Sequence, residues 1–129
     1  MALAPDGPLH AEWVCDPRAE VTAPLRDEVR SLLTRWRVPP DVVEDALLVL
    51  AELVANVVIH AGTRFRLAVH LDRRLLRVAV DDGRVGAMPP AGNPTGNQIS
   101  GLRLVNAIAL RWGWQEDETR KTVWAEFLV

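Results

Sequence analysis

One cysteine, Cys15, stands in a chain of 129 residues, so no internal disulfide can form. Its side chain reads as a small, partly buried hydrophobe rather than a reactive thiol. There is no basic excess either. A formal net charge of −2 and a pI near 5.9 exclude the electrostatic footprint of nucleic-acid or anionic-membrane binding. No run approaches the ~20 apolar residues that span a bilayer. The opening MALAPDGP has neither a positive charge run nor a long apolar stretch. No signal peptide is therefore expected, and a reducing, cytoplasmic location is. Internal repeats and linkers are missing too. What remains is a chain that is 49% hydrophobic, rich enough in apolar residues for one domain over 1–129 with a single core and a loose stretch at 1–8.

Periodicity lays out the elements. Residues 9–15 (LHAEWVC) alternate as a strand. From 21 to 36, Val21, Leu25, Val29, Leu32, Leu33 and Trp36 recur at helical spacing, with Arg26, Asp27, Arg30 and Arg35 on the other side, and Trp36 is expected in the core. Pro39-Pro40 separates this helix from a second, 41–61, with Asp41 as its expected cap and Gly62 as its stop. The second helix is apolar around most of its circumference and is expected at the centre of the fold. Strands follow at 64–71 and 75–80 about a tight turn at Asp72-Arg73-Arg74. A segment with four glycines and three prolines runs from 82 to 100 without periodicity. A loop that long is usually functional or disordered. A helix is expected over 101–112, then a hairpin of 113–116 and 122–129. The order β-α-α-β-β-loop-α-β-β predicts an α+β two-layer sandwich, its helices on one face of a mixed, mostly antiparallel sheet.

Against this apolar background, Glu52, Asn56 and His60 are four residues apart in LLVLAELVANVVIHA. In a helix such residues lie one above another. Burying them costs free energy unless each finds a partner. Glu52 is a candidate general base. Asn56 offers an amide oxygen to a hard cation such as Mg²⁺, whose remaining ligands are usually waters and phosphates. The alternative is structural: Glu52 paired with an arginine and Asn56 bonded to backbone. A zinc site fits poorly, since Glu, Asn and His lack the second histidine or thiolates such a site uses. Asp82 extends the inward row of Val78 and Val80, while Asp81 has the opposite parity. Asp82 can accept a hydrogen bond from an exocyclic amine such as adenine's, or can simply form an Asp-Gly turn. Gly83, Gly86, Gly92, Gly96 and Gly101 permit close backbone approach to phosphates, and Gly101 opens a helix whose N-terminus favours anions.

The ordered segments ELVANVVIHAG (52–62), LRVAVDDG (76–83), SGLRLVNAIALRWGW (100–114) and KTVWAEF (121–127) resemble the ATP-binding domain shared by gyrase-type topoisomerases, heat-shock chaperones and sensor histidine kinases, the Bergerat fold. Within it the likeness is to the small anti-sigma factor serine kinases, and it covers residues 21–129. The resemblance implies that Glu52 is the general base on a substrate hydroxyl, that Asn56 ligates Mg²⁺, and that Asp82 reads the adenine amine. It also implies that Gly86 sits beside the adenine, that Gly101 and Leu102 with the loop before them form a lid over the phosphates, and that Thr122 supports the adenine. The implied cofactors are ATP and Mg²⁺. The implied partners are a sigma factor and an antagonist protein phosphorylated on serine, docked near the first helix and the sheet edge, in a chain that often dimerises. His60 reads as a structural hydrogen-bonding residue.

Four positions depart from the family pattern. Arg84 and Ile99 replace glycines of the loop, Val57 follows Asn56 where alanine is common, and Arg120 stands where glycine often precedes the threonine. Each is expected to add bulk near the nucleotide. Two readings stay open: a protein serine kinase, or a degenerate, non-catalytic binding module of the same fold that switches protein partners.

Overall fold

The computed structural model describes residues 7–83 and 100–129. Five strands, β1 (Leu9–Cys15), β2 (Phe65–Asp72), β3 (Leu75–Asp82), β4 (Arg111–Glu116) and β5 (Lys121–Leu128), form one sheet in the order β1-β2-β3-β5-β4. Every pairing is antiparallel. The mostly antiparallel sheet of the sequence reading is antiparallel throughout the described residues. Three helices, α1 (Thr22–Arg35), α2 (Pro40–Asn56) and α3 (Ser100–Ile108), pack against it. With α2 contacting α1, α3, β3 and β5, the result is the expected two-layer α+β sandwich.

Strand alternation explains why one face is dry. Phe65, Leu67 and Val69 of β2, Leu76, Val78 and Val80 of β3, and Val123, Ala125 and Phe127 of β5 share inward parity and are buried. They meet Leu47, Leu50, Leu53 and Val54 of α2, all at most 2% exposed. Leu25, Val29 and Leu33 bring α1 into the same core, and Leu102 and Val105 bring α3. Trp36 packs against it partly buried, and Cys15 is a buried free thiol. Burial in apolar surroundings, with Glu28 and Asp16 nearby, raises the Cys15 pKa and keeps the thiol protonated.

The helix ends show how the chain is punctuated. After α1 the backbone turns left-handed at Arg37, φ 62°. Val38 N–H donates to Leu33 carbonyl and Arg37 N–H to Thr34 carbonyl, both at 3.0 Å. This is a Schellman cap, closed by the apolar pair Leu33 and Val38. The second helix begins one residue earlier than expected. Pro40 takes the first helical position, where its missing N–H costs nothing. Asp41 therefore lies inside the first turn, favourable to the helix dipole, and is not the cap.

Beyond Asn56 the α-helix gives way to a π-helical turn, Val57–Ala61. Gly62, at φ 66°, ends it with its N–H on the Val57 carbonyl at 2.9 Å. The wider turn rotates the residues after Asn56 about the helix axis, so the expected stack of Glu52, Asn56 and His60 is broken there.

The third helix is shorter than its sequence pattern. Leu110 N–H donates to Glu126 carbonyl at 2.8 Å, and from there the backbone joins the sheet. Arg111 and Trp112, expected in the helix, instead pair with Glu126 and Ala125. Residues 84–99, which hold Arg84, Gly86, Gly92, Gly96 and Ile99, lie outside the described residues. No helix among the described residues is long and apolar enough to cross a membrane.

Candidate functional site

Where α2 runs out and β3 and β5 reach the same end of the sheet, a cleft opens between the layers. Leu53, Asn56 and Val57 form its helical wall; Val80, Asp82, Lys121 and Val123 form the sheet side. Its free volume is about 20 Å³, room for about one water and far below the ~300–1,000 Å³ of small-molecule sites, so the walls must part to admit a ring. The walls are apolar, and the polar groups, Asn56, Asp82 and Lys121, are few and convergent.

Asp82 is the most enclosed polar residue described, at 1% exposure. It ends β3 on the inward row and pairs in register with Lys121, the first residue of β5. Lys121 Nζ lies 3.8 Å from Asp82 Oδ2. This ion pair is longer than a direct hydrogen bond. Burying two charges is tolerable because they face each other. On the other face a diagonal contact joins the same strand ends: Arg120 Nε donates to Asp81 Oδ1 at 2.7 Å, although Asp81 is in register with Thr122. Arg120, expected to crowd the nucleotide, is held outside the cleft by Asp81.

Thr63 sets the exit of β3. Its Oγ1 accepts the Gly83 N–H at 3.3 Å, tying the strand end to the turn after α2. The β4–β5 turn is fixed by Asp117, whose Oδ1 accepts the Thr119 and Arg120 N–H groups at 2.8 Å each. Those two backbone bonds hold the Asp117 carboxyl below the usual aspartate range. The turn thereby fixes where β5 starts and where Lys121 points.

Of the residues singled out from sequence, Asn56 and Asp82 are brought together on opposite walls. Glu52 is half-buried one helical turn from Asn56 and is not among the residues that line the cleft. No cation among the described residues forms an ion pair with Glu52. Val57 lines the cleft beside Asn56. His60 is exposed, off the stripe.

Two placements differ from the expectation. Leu102 is 1% exposed in the core, anchoring α3 rather than facing the cleft. Thr122 pairs with Asp81 and Gln115 and has outward parity, because side chains alternate along a strand. Lys121, which sequence reasoning passed over, takes the inward position. The inward row Val123, Ala125, Phe127, extended back by two, was the signal for it. Gly86 lies outside the described residues, and α3 opens at Ser100 with Gly101 in its first turn.

A divalent metal would depend on few protein atoms. Among the described residues no group of three His, Cys, Asp or Glu side chains could hold one. The donor present is the Asn56 amide oxygen. A single neutral oxygen suits Mg²⁺ carried in with phosphates and waters, the habit of that ion in phosphoryl-transfer sites.

The sequence matches the histidine kinase-like ATPase domain family over residues 15–127. The chain belongs to that family. In structure it is similar to a solved chain described as the RsbU and RsbW domains of Rv1364c from Mycobacterium tuberculosis, with a TM-score of 0.71 and 18% identity. That match covers 96% of this chain and 33% of the other, so this chain spans about a third of the larger protein. A comparison with curated proteins gave no match.

Proposed function

We propose that this histidine kinase-like ATPase domain is an ATP- and Mg²⁺-dependent regulator that phosphorylates a serine on an antagonist protein and sequesters a sigma factor in the cytoplasm. Family membership supports nucleotide binding, and the anti-sigma kinase likeness of segments 52–62 and 100–114 supports the partner class. One observation carries the reading. Asn56 and Asp82 face one cleft from opposite layers, and Glu52 precedes Asn56 by one turn of α2.

In this reading Asp82 accepts the exocyclic amine of the base between the apolar walls of Leu53, Val57, Val80 and Val123. The Asn56 amide oxygen holds Mg²⁺, which when bound neutralises phosphate charge. By the family resemblance Gly86 would sit beside the base, and Gly101 with the loop before it would cover the phosphates. Glu52 accepts the proton of the serine hydroxyl as its oxygen bonds to the γ-phosphorus; the bond to the β-phosphate oxygen breaks, and ADP leaves. Phosphoryl transfer demands mainly position and charge neutralisation, so this small set suffices. The outer side of α1, where Arg30 pairs with Glu44 of α2, is the proposed docking face for a partner or a second copy.

Calorimetric titration with ATP and Mg²⁺ tests this. The parent chain should bind, and Asp82→Asn should weaken binding. No heat of binding to the parent chain would end the kinase reading. One observation favours the second reading, a binding module that needs no nucleotide. The base end of the cleft already holds an ion pair, Asp82 with Lys121. A melting midpoint indifferent to ATP and Mg²⁺ would support that module, since a ligand selective for the native state must raise the midpoint.

A further inference from the structure

The nucleotide reading assigns base recognition to Asp82 alone, yet Lys121 shares the same floor. We propose that Lys121 widens this cleft from an adenine site to a purine site, which takes guanine nucleotides as well as adenine nucleotides. The inference rests on the nucleotide-binding reading above.

The chemistry follows from donors and acceptors. An ionised aspartate only accepts hydrogen bonds, and a lysine ammonium only donates them. Adenine carries an amine donor where guanine carries the O6 acceptor. A lone carboxylate thus welcomes adenine and opposes guanine, because two acceptors meet with no proton between them. Sites built on such a contact reject the wrong partner steeply, since buried polar groups are left unpaired.

Lys121 removes that penalty. Its side chain is 8% exposed and its Nζ stands 3.8 Å from Asp82 Oδ2, so an acceptor and a donor lie side by side. Strand register fixes them there: they are direct cross-strand partners with inward parity. With adenine, Asp82 accepts from the exocyclic amine and Lys121 donates to the neighbouring ring nitrogen. With guanine, Lys121 donates to O6, while the two carboxylate oxygens accept from the ring N–H and the exocyclic amine. Both charges are satisfied in either case. The walls, Leu53, Val57, Val80 and Val123, are apolar and do not discriminate between the two rings.

Calorimetric titration of the full chain with ATP, GTP and ITP in Mg²⁺ tests the proposal. GTP and ITP should each bind within about tenfold of ATP, and the parent chain alone gives this result. In Lys121→Met both nucleotides lose a donor, but GTP should weaken at least about tenfold more than ATP, because O6 then faces the Asp82 carboxylate unpaired while the adenine amine keeps its acceptor. A melting curve confirms that the variant is folded. ATP binding with GTP more than tenfold weaker would overturn this inference and leave the nucleotide reading standing. Equal loss of both nucleotides in the variant would overturn it too. Binding of neither by the parent would end both.

Discussion

Asp82 and Lys121 face each other across β3 and β5 with Nζ 3.8 Å from Oδ2 and exposures of only 1% and 8%. A buried pair of this kind is a vulnerable point in the fold, because the ammonium depends on the carboxylate. Asp82→Ala should cost about 3–5 kcal/mol by stranding the ammonium. The double variant Asp82→Leu with Lys121→Met should cost less than Asp82→Ala, as apolar replacement of both partners is often neutral. Urea denaturation of the three proteins measures this. Equal or greater loss in the double variant would show that the ammonium does not depend on the carboxylate.

In the proposed reading Glu52 separates chemistry from binding. It is not among the residues that line the cleft, and no described cation pairs with it. Glu52→Gln should leave ATP affinity within about threefold while slowing serine phosphorylation by about 10²–10⁴, the usual reach of a general base. A radiolabel transfer assay with the protein substrate, run beside calorimetry, reads both. Parallel loss of affinity and rate would place Glu52 in nucleotide binding instead.

The β4–β5 turn should be sensitive to acid. Backbone N–H bonds from Thr119 and Arg120 lower the Asp117 pKa in the folded chain. The unfolded value is about 3.9. A lowered folded pKa means the stabilisation is fully present above that value and disappears as pH falls through the folded one. The stability difference between the parent and Asp117→Ala should therefore be constant near neutrality and shrink as pH drops below about 4. Denaturant melts from pH 7 to pH 2 follow it. A difference that grows on acidification would contradict the assignment.

At the end of α1, Arg37 holds a left-handed conformation that L-residues other than glycine adopt at a cost of ~1–2 kcal/mol. Arg37→Gly should relieve part of it. A gain of up to about 1 kcal/mol remains after the greater freedom glycine gives the unfolded chain. By contrast, Gly113→Ala should destabilise by ~1–3 kcal/mol. Its Cβ would lie 2.8 Å from Trp124 Cζ2, and that ring is covered by the Arg77 guanidinium at 4.4 Å. Thermal melts settle both signs.

Periodicity carried most of the fold. The strands at 9–15, 64–71 and 75–80 and the helices at 21–36 and 41–61 emerge close to their observed bounds because each buries one face or one stripe. The misses have separate causes. Arg111 and Trp112 continue a helical pattern but find partners in Glu126 and Ala125, and the sheet ladder wins. The π-helical turn after Asn56 has no composition signal, so the stack through His60 looked continuous. At the site, Asn56 and Asp82 were legible from spacing and strand parity. The family resemblance points to Thr122, whereas strand parity turns Lys121 inward. The inward row Val123, Ala125 and Phe127 points to Lys121, and the fold follows the row.

The central claim is that nucleotide enters the cleft between Asn56 and Asp82. Amide resonances of the isotope-labelled chain, followed through a titration with ATP and Mg²⁺, test it most directly. The account predicts large shifts at Asn56, Val57, Asp82 and Lys121, saturating together, with the outer face at Arg77, Trp124 and Glu126 little changed. Shifts confined to that outer face, or none at saturating nucleotide, would contradict it.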